Sequence, residues 1–296
     1  MDILQAIIYG VVQGIGEFLP ISSTAHLDLL PWFFKDLGWV AQPKYFDMAL
    51  HFGTAIAVVV FFFKDWLVLV AAGFTKPKSP DGRLFWLIAV ATIPAAVVGV
   101  VLNDLDFSTN YLLIGIMLIV MGAVLYVADK LGKIEGSVAS GGANGGNGAI
   151  AGASSQNVVA GANAQTSAEA PEVGLKRGIL VGISQALAII PGVSRSGITM
   201  ATGRFLGMTR AGIARFSFLM STPIILADAL FQAKDMVKDT SLQLLPFIIA
   251  ILTSAVVGML SIRFLLNYLK TKGFGIFVIY RFVLGAFVIV LFFLRG

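Results

Sequence analysis

Hydrophobic positions along this 296-residue chain gather into long runs rather than into half-buried stripes. Six runs, about 46–63, 85–102, 111–128, 212–230, 244–262 and 275–294, are each long enough to cross ~30 Å of hydrocarbon as a helix. Two further apolar regions, about 3–34 and 175–207, are broken near their middles by Pro, small residues and hydroxyls. Neither holds two full spans. Both are predicted to be re-entrant helical hairpins, with a kinked full span as the alternative, because a broken backbone at membrane depth is tolerated only where protein or a polar cavity shields it. The pattern predicts an all-α integral membrane protein.

The two broken regions read as imperfect copies. The first runs Gln13-Gly-Ile-Gly-Glu17-Phe-Leu-Pro20-Ile-Ser22-Ser23-Thr24-Ala25-His26, and the second runs Gln185-Ala-Leu-Ala-Ile-Ile-Pro191-Gly192-Val193-Ser194-Arg195-Ser196-Gly197-Ile198-Thr199. Each has a Gln, an apolar stretch, a Pro and then clustered hydroxyls. The likeness continues into Phe46–Thr54 and Phe216–Thr222. A hairpin followed by three spans, twice, puts the second half into the membrane from the opposite side, which makes an inverted-topology repeat. The expected organisation is a first repeat over 1–133, a linker over 134–173 and a second repeat over 174–296. The linker, rich in Gly, Ala, Ser, Asn and Gln with almost no charge, has nothing with which to build a core.

Composition supports the membrane class. Hydrophobic residues make up 57% of the chain and charged residues 12%, with a mean hydropathy of +0.89; soluble domains carry roughly 25% charged residues. The chain has no Cys, which removes disulfides and thiolate metal sites. Met1-Asp2 lacks the basic start of a secretory signal. The net charge of +5 is scattered through loops, so it reports topology, and no nucleic-acid partner is expected. Fourteen Lys and Arg, from Lys64 to Lys272, fall on one predicted side, and five (Lys35, Lys44, Lys234, Lys238 and Arg295) on the other. The rich side is expected to be cytoplasmic, with both termini and the mouth of the first hairpin outside. Trp32, Trp39, Trp66 and Trp86 suit the membrane interfaces.

Charges inside these segments are costly and mark function by default. Gln13 and Glu17, four residues apart, share a helix face. Beyond the break come Ser22, Ser23, Thr24 and His26, which add hydroxyls and an imidazole. The second break supplies Arg195 between Ser194 and Ser196, a guanidinium suited to two-point binding of phosphate. The plainer reading of each hydroxyl alone is a helix cap after a Pro. His51 fits a packed, hydrogen-bonded core histidine, Asp47 a helix start, and Asp28 a partner that orients His26. Arg281, inside the last span, could pair with a carboxylate or reach phosphate.

The two broken segments, with Phe46–Thr54, Phe216-Ser-Phe-Leu and Tyr280-Arg281-Phe, resemble the undecaprenyl-diphosphate phosphatase family of BacA/UppP type over nearly the whole chain except about 134–173. Gln13 is one of two residues the family allows at its position, and Ala25 stands where Gly is usual. The resemblance implies removal of one phosphate from undecaprenyl diphosphate at the outer face of the bacterial plasma membrane. It further implies resistance to bacitracin, recycling of a lipid carrier for cell-wall synthesis, and a divalent cation, Mg²⁺ or Ca²⁺. In the expected mechanism Arg195 binds phosphate, and Ser194, Ser196 and Thr199 add donors alongside Gln13, Ser22 and Thr24. Glu17 holds a cation or orients the site. Ser23 is the nucleophile with His26 as its base; direct attack by His26, or water activated by it, is the rival. The partners are the lipid substrate and membrane lipids, with a homodimer among the options for assembly. The competing function is a secondary transporter or lipid flippase, for which inverted repeats with broken helices are common, but which has little need of Ser22, Ser23 and His26 together.

Overall fold

The computed structural model describes residues 2–39, 44–102, 110–132, 173–236 and 243–295. The expected linker at 134–173 lies almost wholly outside them. Among the described residues the chain is helical with no strand. The first hairpin is α1 (Ile3–Gly16) and α2 (Ser23–Phe33); the second is α7 (Leu175–Gln185), a short 3₁₀ turn (Ala186–Ile189) and α8 (Arg195–Phe205). α1, at 14 residues, and α7, at 11, are too short to cross a bilayer.

Five helices are long and apolar enough to span: α5 (Pro80–Val101), α6 (Tyr111–Leu131), α9 (Arg210–Met236), α10 (Leu244–Tyr268) and α11 (Gly275–Arg295). The sixth expected span is α3 (Lys44–Phe61), which bends by 72° into α4 (Phe63–Thr75). The run of apolar residues did not announce α4 as a separate helix. No Pro or Gly sits at the bend. Phe62 is buried there against Phe218, and Asp65 at the start of α4 makes an ion pair with Arg215 of α9, whose guanidinium lies 5.9 Å from the Phe62 ring. Tertiary contacts therefore turn the chain.

Packing is interleaved. α1 and α3 lie on α10, α7 and α9 lie on α5, α6 lies along α11, and α3 along α9. Exchanging α1 for α7, α3 for α9, α5 for α10 and α6 for α11 reproduces this set of neighbours. Each hairpin thus docks on a span from the other half of the chain. Small residues allow the close approach: a Cβ at Gly14 would sit 2.8 Å from the Gly258 backbone of α10, and one at Gly182 only 2.2 Å from the Ala91 carbonyl of α5.

The surface is apolar and the interior holds charge, the reverse of a soluble domain. On α11, Ile276, Ile279, Val283, Phe287 and Val290 face outward at helical spacing, while Arg281 on the opposite face is fully buried. One end of the bundle is tied by Asp129 of α6, which accepts from Arg210 Nε (2.6 Å) and the Phe274 amide (3.1 Å) and lies 3.5 Å from Arg204 Nε. The other end joins Arg295 to Asp36 (3.7 Å).

Candidate active site

Each hairpin breaks in the same way. α1 ends at Gly16 with Glu17 as its C-cap, and the chain runs through Phe18-Leu-Pro20 to Ser22, whose φ is +77°. α7 ends at Gln185, and the chain passes Pro191 and Gly192 to reach Ser194, with φ +73°. Among the described residues these two serines alone carry a positive φ without being glycine, a conformation that costs on the order of 1–3 kcal/mol. Both cap the helix that follows. Ser22 Oγ accepts from the Ala25 amide (3.4 Å) and Ser194 Oγ from the Gly197 amide (3.1 Å). Ser22 Oγ also lies 3.3 Å from Thr24 Oγ1, and Ser194 Oγ 3.2 Å from Ser196 Oγ. The strained residue in each case precedes the one that carries chemistry: Ser23 opens α2 and Arg195 opens α8.

The two breaks meet. Arg195 Nη1 donates to Glu17 Oε1 at 3.1 Å, across 178 residues of sequence. Ser23 Oγ donates to Glu17 Oε2 at 2.9 Å, and Gln13 Nε2 donates to the same oxygen at 3.2 Å. Gln13, Glu17 and Ser23 are buried, whereas the Arg195 side chain keeps 25% of its surface exposed. Ser196 Oγ crosses to the Leu19 carbonyl at 3.1 Å. Thr199 is fully buried and bonded to the Arg195 carbonyl (2.8 Å) and Ser217 Oγ (2.7 Å), so it braces α8 against α9. Thr24 is exposed.

Among the described residues Arg281 bonds to backbone carbonyls and to no carboxylate. Its guanidinium donates to the backbone carbonyls of Pro20 (3.1 Å) in the first break, Gly192 (2.7 Å) and Val193 (3.3 Å) in the second, and Leu118 (3.2 Å) and Met117 (3.4 Å) on α6. One buried cation therefore holds both breaks in register. It satisfies carbonyls that broken helices leave without partners.

His26 is not hydrogen-bonded to Ser23, whose hydroxyl goes to Glu17 instead, and its partner is not Asp28. Its Nδ1 lies 2.6 Å from the Ser22 carbonyl and its Nε2 2.6 Å from Tyr280 Oη, with the two rings stacked 5.6 Å apart. Spacing alone did not point to this tyrosine as a partner; the one signal was its place directly before Arg281. His51 follows its packed-core reading: it is buried, and its Nδ1 lies 3.0 Å from the Asp47 carbonyl.

For a divalent cation, the described residues contain no cluster of three His, Asp or Glu able to hold one. Gln13 Oε1 is buried and, among the described residues, has no hydrogen-bond partner; with the carboxylate of Glu17, which accepts from Gln13 Nε2, it makes a pair of candidate oxygen ligands. That pair fits Mg²⁺ or Ca²⁺ only if waters or substrate phosphates complete the shell, as is usual for Mg²⁺.

A multi-pass membrane protein that brings a hydroxyl, a carboxylate and a guanidinium together at two broken helices holds the kinds of group that phosphate chemistry uses. The chain belongs to the bacitracin resistance protein BacA family, which matches residues 6–287. It is 46% identical over 298 residues to the undecaprenyl-diphosphatase of Desulforudis audaxviator (strain MP104C), with all of both chains covered. The undecaprenyl-diphosphatases of Moorella thermoacetica (45%) and Caldicellulosiruptor bescii (42%) also match over 100% of both chains.

Proposed function

We propose that the protein hydrolyses undecaprenyl diphosphate to undecaprenyl phosphate and inorganic phosphate, with Ser23 as nucleophile and Glu17 as its base. The observation that carries this reading is the 2.9 Å hydrogen bond from Ser23 Oγ to a buried carboxylate that Arg195 also holds. Substrate phosphate competes for the partly exposed guanidinium. As Arg195 turns to phosphate oxygens, Glu17 loses its counter-charge and becomes a stronger base for the Ser23 proton. Ser23 Oγ then bonds to the terminal phosphorus, the bridging P–O bond breaks, and its electron pair leaves on the lipid phosphate. Glu17 gives the proton it took from Ser23 to the departing lipid phosphate, then takes a proton from the water that attacks the phosphoserine, and returns it to Ser23 Oγ as the serine P–O bond breaks and inorganic phosphate leaves. Arg195 and the amide groups at the starts of α2 and α8 face the charge that develops on the transferred group. A bound Mg²⁺ or Ca²⁺ on Glu17 and Gln13 Oε1 would supply further neutralisation of the phosphates.

The reading includes a duplicated unit of opposite orientation, residues 1–133 and 174–296, joined by 134–173. The site opens to the outer face of the bacterial plasma membrane. The exchange of neighbours between halves and the fourteen-to-five Lys/Arg asymmetry support it. A transporter would leave Ser23 without a task.

Purified protein given undecaprenyl diphosphate should release phosphate, and a quenched reaction should contain phosphate bound to Ser23. Release without any phosphoserine, even under rapid quench, would replace the serine with an activated water. Introduced cysteines at residue 150 and at either terminus, in a chain with none of its own, should label from the inside and the outside respectively.

A further inference from the structure

Both ring nitrogens of His26 are engaged, and the engagement runs to the turn that presents Ser23. A carbonyl only accepts, so the 2.6 Å contact with the Ser22 carbonyl requires a proton on Nδ1. Nε2 of the neutral ring is then the acceptor, and Tyr280 O–H donates to it at 2.6 Å. The chain of bonds is Tyr280 to His26 to the carbonyl of Ser22, the residue held at φ +77° immediately before Ser23. The next residue of α11, Arg281, grips the same turn from its other side through the Pro20 carbonyl at 3.1 Å. Two consecutive side chains of the last helix thus hold two carbonyls that bracket Ile21 in the first hairpin.

We propose that Tyr280 is a positioning residue that acts through His26 to hold the strained turn, and that His26 itself braces the nucleophile rather than exchanging protons with it. The inference rests on Ser23 being the nucleophile, as proposed above. A turn at positive φ relaxes when its tethers are cut, and relaxation swings Ser23 Oγ away from Glu17. A misplacement of this kind lowers turnover more than it weakens substrate binding. Asparagine at position 26 can still offer an amide N–H to the Ser22 carbonyl; alanine cannot. A histidine that served as base or nucleophile would be replaced by neither.

The chain has two histidines, His26 and His51, so nitrogen NMR of ring-labelled protein in lipid resolves each ring, with His51→Gln for assignment. His26 should show a protonated Nδ1 and a bare, hydrogen-bonded Nε2, the less common tautomer of a free imidazole. The Nε2 signal should move in Tyr280→Phe. A ring protonated on Nε2 with Nδ1 bare overturns the proposal without any activity measurement. With undecaprenyl diphosphate as substrate, Tyr280→Phe should lower kcat about tenfold, the loss that one missing hydrogen bond of ordinary strength produces, with KM within about twofold. His26→Asn should keep at least about ten times the kcat of His26→Ala, and Tyr280→Phe should cost nothing further in a His26→Ala background. Full turnover in Tyr280→Phe, equal inactivity of the asparagine and alanine variants, or multiplicative losses in the double variant each refute it. Ser23→Ala in the same assay separates the two readings: if that variant turns over, the nucleophile assignment fails whatever the histidine spectra show.

Discussion

The two hairpins share a backbone and divide the chemistry. Gln13 and Gln185, and the strained caps Ser22 and Ser194, stand at matching places, each pair 172 residues apart. At that offset Glu17 faces Ile189, Ser23 faces Arg195, and His26 faces Ile198. Both turns use a positive-φ serine to launch a helix whose first residue, Ser23 or Arg195, meets Glu17. The first keeps a carboxylate and a hydroxyl; the second keeps a guanidinium and has apolar residues where the first has its carboxylate and imidazole. A nucleophile and its base need to be near phosphate but need an opposite charge to hold it. One hairpin carrying both signs would neutralise itself. Splitting them lets the substrate enter between base and receptor.

The largest expected effects break the first hairpin. Ser23→Ala and Glu17→Gln should each reduce phosphate release by about 10³-fold or more, and the double variant should be little worse than either, because nucleophile and base act as a unit. If Glu17→Gln keeps substantial turnover, Ser23 has another base. Next comes the receptor. Arg195→Lys keeps the charge but loses the planar two-point grip, and should raise KM and lower kcat, with kcat/KM down about 10²-fold. Equal kinetics would show that a point charge suffices.

The caps distinguish the hairpins more finely. Ser194→Ala should cost about 1 kcal/mol of stability, read as a lower melting temperature in detergent. Ser22→Ala should cost less, because its capping contact is longer at 3.4 Å against 3.1 Å. Ser194→Gly, which removes the φ strain, should fall nearer to the parent than Ser194→Ala. The smallest effect is at Gln185, the counterpart of Gln13. Gln13 serves Glu17, but among the described residues neither amide atom of Gln185 has a hydrogen-bond partner although the side chain is buried. Gln185→Leu should leave activity intact and stability equal or higher by about 1 kcal/mol, while Gln13→Leu should lose activity. A functional loss at Gln185 would show that its amide has a task the first hairpin does not reveal.

Much of this contrast between the hairpins is legible in the residues alone. Pro20, Pro191, Gly192 and the serine clusters sit inside apolar runs, and a polar break in such a run has few solutions in a membrane. Glu17 and Arg195 stand out because charge is rare at that depth. Their partners do not stand out. Ser23 lies three residues from His26 and six from Glu17, and the closer pairing looks more natural until the +77° φ of Ser22 turns the hydroxyl back toward α1. The bend at Phe62 has no local breaker and arises from a contact with α9.

The membrane class, the two broken helices, five of the six expected apolar crossings and the cast of polar residues near the breaks all follow from local hydropathy and local backbone chemistry, so the order of residues is enough to specify them. Which of those polar residues meet is a matter of packing. Arg195 reaches Glu17 across 178 positions, Tyr280 reaches His26 across 254, and Arg281 reaches Pro20 across 261. A hydrogen bond in a dry interior goes to whichever partner the packing brings within about 3 Å, and spacing along the chain carries no trace of that choice.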